Sequence, residues 1–286
     1  MTNTLLDFSL RPELALHAVV LADVESIAAP LGVPLLIAGA FARDLHLQYA
    51  HGIQTQRQTE DIDLALAVPD WATYTVVHER LIAGGAFERQ GKAGHRIRHR
   101  SGWPVDLVPF GGVESSGRKI AWPPRDEFVM DVLGFREALA AANPVVLPGN
   151  VTAKVVPLAA LALLKIVCWQ DRHYTSPRKD AHDLQMILRH YLSAGNEMRL
   201  WNEFTGWTQE DGFDYELAGA RMLGVDIRGF LDRPGLERAR DILRQQTEPD
   251  KPGLLPNEMN PADPDRALAW LNALSHGLSS GAGRPL

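Results

Sequence analysis

The segment Thr59-Glu60-Asp61-Ile62-Asp63-Leu64-Ala65-Leu66 limits what this chain can fold into more than any other, because it alternates carboxylates with apolar residues. Side chains in a strand point to opposite faces with a period of two. Asp61 and Asp63 therefore leave on one face while Ile62, Leu64 and Leu66 enter the core on the other. Two carboxylates held that close repel and lose hydration unless a positive charge sits between them, and a divalent metal ion is the usual partner. A third acid in a similar setting, Asp106 in Pro104-Val105-Asp106-Leu107-Val108, extends the constellation. The plain alternative is a solvated edge strand carrying surface aspartates.

A chain of 286 residues has room for two domains. Its net charge of -6 excludes binding of nucleic acid through bulk positive charge and leaves only a local basic face for that purpose. The single cysteine, Cys168, cannot form an internal disulfide and lies in an apolar run, as expected of a core residue in a reducing cytoplasm. No basic start followed by an apolar stretch marks residues 1–11 as a secretory signal. The most apolar run, residues 158–169, has 12 residues broken by Lys165, whereas a spanning helix needs about 20. The expectation is a cytoplasmic protein without a membrane segment.

Along the chain, residues 12–30 have helical spacing, and residues 33–38 form an apolar strand that stops at Gly39-Ala40 before a second helical pattern over 41–47. A strand, tight turn and helix bring free backbone N–H groups to the sheet edge, which suits a phosphate, although a glycine there is also common punctuation. Residues 51–58 read as a loop, 69–84 as a helix, and 86–90 and 95–100 as strands. Arg89, Lys92, Arg96, Arg98 and Arg100 occur with no acid between them, and in a strand Arg96, Arg98 and Arg100 share a face. Such a face can hold polyphosphate or nucleic acid, or it can protect a sheet edge.

Residues 111–124 read as a loop or hairpin, 128–133 and 145–156 as strands, and 135–142 as a short helix. Beyond Pro157 the patterns turn helical, which places a domain boundary near residue 156. Lys165 either snorkels or meets an anion. Ser176-Pro177 reads as a helix start before the stripe Ala181, Leu184, Ile187, Leu188 and Tyr191. Lys179 and Asp183, four apart, read as a surface salt bridge or as part of a site. Helices over 215–223, 235–246 and 264–277 follow, with a Pro-rich connector at 248–264 and a frayed tail at 279–286.

Gly39-Ala40 opening a helix, then Asp61-Ile62-Asp63, then Asp106 on a later strand together resemble the polymerase-beta-like nucleotidyltransferase superfamily. Lys165 followed by Arg178-Lys179-Asp180-Ala181-His182-Asp183-Leu184 is similar to its AbiEii/AbiGii-type toxin branch, and the resemblance covers residues 33–192. It implies an α+β fold, with an N-terminal nucleotidyltransferase domain of mixed β-sheet and flanking helices over 1–156 and a helical domain with a flexible tail over 157–286. It also implies that Asp61, Asp63 and Asp106 hold two Mg²⁺ ions, with Mn²⁺ as a substitute. Gly39, Ala40, Arg43, Lys165 and Lys179 would bind the triphosphate of an NTP.

Two features depart from that pattern. Ala40 stands where a Gly or Ser is usual, so backbone N–H groups must replace a hydroxyl, and the interval from Ala40 to Asp61 implies an inserted loop at 51–58. The branch implies transfer of NMP to RNA, tRNA above all, by the toxin half of a pair with a cognate antitoxin. Transfer to a small molecule such as an aminoglycoside or lincosamide is the alternative within the superfamily, and a non-catalytic nucleotide- or RNA-binding protein is the alternative outside it. No Ser-His-Asp or Cys-His spacing offers a competing chemistry, and one cysteine cannot build a zinc-thiolate site.

Overall fold

Asp63 lies on a strand in the interior of a sheet. The computed structural model describes residues 4–55, 59–91, 94–123, 129–175 and 178–280. It divides into one unit of Met1–Leu45 with Gln56–Pro157 and a second of His46–Thr55 with Leu158–Leu286.

The first unit carries all strands found among the described residues: β1 (Leu6–Asp7), β2 (Leu35–Ala38), β3 (Ile62–Val68), β4 (Phe87–Arg89), β5 (Arg96–His99), β6 (Pro104–Gly111), β7 (Lys119–Ala121), β8 (Val129–Asp131), β9 (Asn143–Leu147) and β10 (Val151–Val155). Eight of them form a mixed sheet in the order β1-β9-β10-β2-β3-β6-β5-β4, and β7 and β8 pair separately. β3 runs antiparallel to β2 and parallel to β6, with Asp63 opposite Ala38 on one side and Asp106 on the other. Ile62, Leu64, Ala65 and Leu66 are fully buried. A strand enclosed on both sides cannot slip register without moving its acids into the core, so the positions of Asp63 and Asp106 are fixed by the fold.

Among the described residues four helices accompany the sheet: α1 (Ala15–Ala28), α2 (Gly39–Asp44), α3 (Trp71–Ala83) and α4 (Phe135–Ala140). α1 and α3 pack on each other, and α3 starts at Asp70, whose carboxylate accepts from the Thr73 N–H at 2.7 Å. With its flanking turns, α1 forms the stretch Pro12–Leu31, which by length and composition alone is long and apolar enough to cross a membrane. Here it buries His17, Ala18, Val20, Leu21, Val24 and Ala28.

His17 stacks on Phe41 at 4.4 Å and lies 4.5 Å from Trp103. Burial lowers its pKa to about 4, against a smaller opposing pull from Asp44. A base whose folded pKa lies below its unfolded value stabilises the fold above about pH 6.5, and that contribution is lost as pH falls toward 4. A His17→Phe variant should therefore lose less stability than the parent between pH 6.5 and 4, by roughly 3 kcal/mol at most. Chemical denaturation at the two pH values measures it, and equal losses would show that His17 does not titrate in that range.

The second unit is helical: α5 (Leu158–Arg172), α6 (Lys179–His190), α7 (Glu197–Glu203), α8 (Tyr215–Phe230), α9 (Arg233–Gln246), α10 (Leu255–Met259) and α11 (Pro264–Ser279). α8 and α11 touch backbone to backbone, since a Cβ on Gly277 would lie 1.9 Å from the Arg221 carbonyl oxygen and one on Gly224 2.2 Å from that of Leu274. α5 is buried almost throughout, from Leu158 to Val167 and at Trp169.

Several elements differ from the sequence reading. Residues 145–156 are two antiparallel strands, β9 and β10, joined at Pro148-Gly149-Asn150, where Gly149 (φ 76) and Asn150 (φ 58) reverse the chain. α7 falls within the stretch read as helical without bounds of its own, and α10 lies in the stretch read as a Pro-rich connector. Asp61 precedes β3 rather than belonging to it. The Ser176-Pro177 helix start, Lys92, Phe128, part of the 51–58 loop and most of the tail lie outside the described residues.

Candidate active site

The sheet sets out one row of side chains across four strands. Ala38 pairs with Asp63, Asp63 with Asp106, and Asp106 with Arg96 on β5. Directly opposed residues in a sheet share a face. Arg96 therefore points with the carboxylates, and it makes use of that position. Its Nε donates to Asp106 Oδ1 at 2.6 Å, and its Nη2 donates to Asp106 Oδ2 at 2.6 Å and to Asp61 Oδ2 at 2.8 Å. The hydrogen bonds to Asp106 raise the guanidinium pKa further, partial burial opposes this, and the charges of both aspartates add to it. One arginine thus ties Asp61, just before β3, to Asp106 on β6.

Gly39 closes the other side. It follows β2 without an intervening residue, has φ 63, and a Cβ there would lie 1.7 Å from Asp63 Oδ2. Only glycine meets both conditions without strain. Gly39→Ala should move or unseat the Asp63 carboxylate and cut any reaction in which that carboxylate takes part by about a hundredfold or more, as expected of misplacing a group at a reacting centre. Steady-state kinetics of the folded variant checks this, and parental kcat would show that Asp63 needs no such fit.

The three carboxylates offer the hard oxygen donors that Mg²⁺ or Mn²⁺ takes, so the donor set fits such an ion by chemistry. The place between Asp61 and Asp106 is held by the Arg96 guanidinium. Among the described residues no group of three or more His, Cys, Asp or Glu side chains is placed so that it could hold a metal ion as it stands.

Of the other residues singled out by sequence, Ala40 is buried at the start of α2. Arg43 is 1% exposed and donates through Nε and Nη2 to Asp44 Oδ1 at 2.9 and 2.6 Å. Lys165 and Lys179 belong to the second unit. Lys165 does not snorkel: it is 4% exposed, 3.0 Å from Asp180 and 2.6 Å from Asp183. Arg172 also binds Asp180, through two donors at 2.7 and 2.9 Å. Asp183 is fully buried beside Lys165, so it is not a surface residue. Lys179 itself is half-buried at the first position of α6.

The structure also joins residues that sequence spacing did not. His99 is 1% exposed, with Nδ1 at 2.7 Å from Ser101 Oγ and Nε2 at 3.0 Å from Asp23 Oδ2. This Ser-His-Asp chain is a hairpin lock, because the one in-plane lone pair on Nδ1 also accepts the Ser101 backbone N–H at 3.1 Å. Nearby, Trp122 packs on Trp71, Tyr74 and His95 at 5.4, 5.7 and 5.2 Å, and the Tyr74 hydroxyl donates to the Leu107 carbonyl at 3.1 Å, bracing β6 next to Asp106.

A family model described as "Nucleotidyl transferase AbiEii toxin, Type IV TA system" matches residues 24–275. No curated protein matches the chain. Among solved structures it is similar to ANT(2")-Ia in complex with adenylyl-2"-tobramycin, at 14% identity and a TM-score of 0.39 over 67% of this chain and 98% of that one. A solution structure of the same antibiotic-resistance factor matches at 12% identity and a TM-score of 0.34, over 68% of this chain and 98% of that one. The Thermotoga maritima CCA-adding enzyme complexed with tRNA matches at 14% identity and a TM-score of 0.24, over 96% of this chain and 80% of that one. Likeness at this level carries no inference about an acceptor.

Proposed function

Because the chain belongs to the AbiEii nucleotidyltransferase toxin family, we propose that it moves a nucleoside monophosphate from an NTP to an acceptor hydroxyl of RNA, tRNA above all. In this reading it works in the cytoplasm as the toxin half of a toxin–antitoxin pair. The observation that carries it is the in-register row of Asp63 and Asp106 on adjacent parallel strands, with Asp61 drawn to the same point and Gly39 fitted against Asp63.

Asp61, Asp63 and Asp106 would hold Mg²⁺, in one or two ions. Bound there, the metal would neutralise the triphosphate and lower the pKa of the acceptor hydroxyl. The chain's own part is positioning. β3 and β6 are held on both sides by neighbouring strands, so their carboxylates need no reorganisation as charge develops. The acceptor hydroxyl gives up its proton to water, its oxygen bonds to the α-phosphorus, the bond from that phosphorus to the oxygen bridging the β-phosphate breaks, and pyrophosphate leaves.

Incubating the protein with each labelled NTP, Mg²⁺ and total RNA tests this reading. Label on an RNA species supports it; label on an added cationic small molecule and on no RNA would replace the acceptor.

The basic face is smaller than the sequence suggests, because Arg96 is engaged with carboxylates while Arg98 and Arg100 are exposed, the latter 3.1 Å from Asp23. If those two contact RNA phosphates, changing both to Ser should weaken RNA binding and flatten its salt dependence by roughly 0.7 to 0.9 of a log unit per log unit of salt for each phosphate lost. Binding of Mg²⁺-NTP should stay as in the parent. An unchanged salt slope would move the acceptor surface elsewhere.

A further inference from the structure

We propose that Arg96 is a built-in counter-ion of the three-carboxylate site, holding the gap between Asp61 and Asp106 when no divalent cation is bound and giving way when one loads. The inference rests on the reading of Asp61, Asp63 and Asp106 as metal-holding acids. Three observations carry it.

The first is occupancy. The guanidinium takes both oxygens of Asp106 and one of Asp61, the same groups a divalent ion would need. Charge-assisted, two-pronged contacts of this kind are about twice as strong as neutral hydrogen bonds, so loading a metal means exchanging one cation for another.

The second is asymmetry of exposure. The Arg96 side chain is 35% exposed, whereas those of Asp61 and Asp106 are 11% and 14% exposed. The arginine has a path to solvent and a long flexible stem. The carboxylates are fixed at the start of β3 and within β6, and only β4 lies beyond the arginine's own strand.

The third is electrostatic need. Without a cation, carboxylates gathered at one point repel and pay for lost hydration. One guanidinium answers part of that charge. A divalent ion answers more of it in a smaller volume, so exchange runs toward the metal while the metal-free protein stays folded.

Calorimetric titration of Mn²⁺ into nucleotide-free protein, paired with melting curves, tests the proposal. Arg96→Gln should bind Mn²⁺ about tenfold or more tightly than the parent, about 1.4 kcal/mol. It should also melt lower than the parent without metal and recover with it. Arg98→Gln removes the same charge two residues along the strand without touching the acids, and should leave the affinity within about twofold. Equal tightening in both variants would assign the effect to long-range charge and overturn the proposal.

If the parent and Arg96→Gln bind equally while Asp63→Asn does not bind, the counter-ion role falls and the metal site stands. If none of them binds Mn²⁺ even with NTP present, both fall. Should Arg96→Gln fail to fold, Arg96→Lys keeps the charge but loses the two-pronged contact. It should bind Mn²⁺ more tightly than the parent, and parental affinity would count against the proposal.

Discussion

Asp63→Asn is expected to reduce nucleotidyl transfer by about a thousandfold or more, roughly 4 kcal/mol of lost transition-state stabilisation, while leaving the melting temperature unchanged or raised. The substitution is isosteric, so the register with Ala38 and Asp106 and the fit against Gly39 are kept. What changes is charge. An amide is neutral and a far weaker ligand for a hard cation than a carboxylate, and removing one of several neighbouring negative charges relieves repulsion in the folded state. Incorporation of labelled nucleotide, followed beside thermal unfolding, separates the two effects. Transfer within about threefold of the parent would remove Asp63 from the reaction; lost activity together with lost stability would recast it as a structural residue.

Lys165→Met should destabilise the helical unit by about 3 to 5 kcal/mol at neutral pH, because it deletes one member of a buried ionic cluster and leaves the others in place. The ammonium lies 3.0 Å from Asp180 and 2.6 Å from Asp183, and both acids are buried. Burial alone would raise the Asp180 carboxyl, but Lys165 and Arg172 outweigh it and hold its pKa at about 2. A carboxyl whose folded pKa lies below its unfolded value near 3.8 stabilises the fold above about pH 4, and that contribution is lost as pH falls through 2. The penalty of Lys165→Met should therefore be largest at pH 7 and shrink between pH 4 and 2, where protonated acids no longer need a cation. Adding Asp183→Asn should restore part of the stability at pH 7. Denaturant unfolding across that range measures all three. A variant of parental stability with a raised KM for NTP would instead return Lys165 to the triphosphate-binding role that its motif suggests.

How much of this was legible beforehand depends on the range of the interactions concerned. α1, α3 and α6 were readable because apolar residues recur at helical spacing within each segment, and α5 because its apolar run is too long for an ordinary strand. The strand of Asp63 was readable from its alternation. The turn that splits residues 145–156 was written locally as Pro148-Gly149-Asn150, but an apolar run on either side reads equally as one strand. Arg96 had a signal of its own: Arg96 and Asp106 are equidistant from Ser101, so a tight hairpin at that serine pairs them. Its sharing of a face with Arg98 suggested a basic stripe instead, and nothing local ranks an acid across the hairpin above a phosphate from outside.

The sequence by itself determined which residue types are present and the face on which each leaves its own strand or helix, because those follow from backbone geometry over a few residues. It therefore placed Asp61, Asp63 and Asp106 among apolar neighbours, put Gly39 at a turn, and buried the stem of Lys165 in a helix. Only the tertiary structure decided which charges meet. Register between β3 and β6, separated by α3 and two further strands, brings Asp63 beside Asp106. The hairpin of β5 and β6 turns Arg96 onto those acids, and α5 and α6 bring Lys165 to Asp180 and Asp183. Charge pairing depends on distances of a few ångströms between residues far apart in the chain. Periodicity within a segment fixes direction, whereas partner and distance are set only when the segments are packed together.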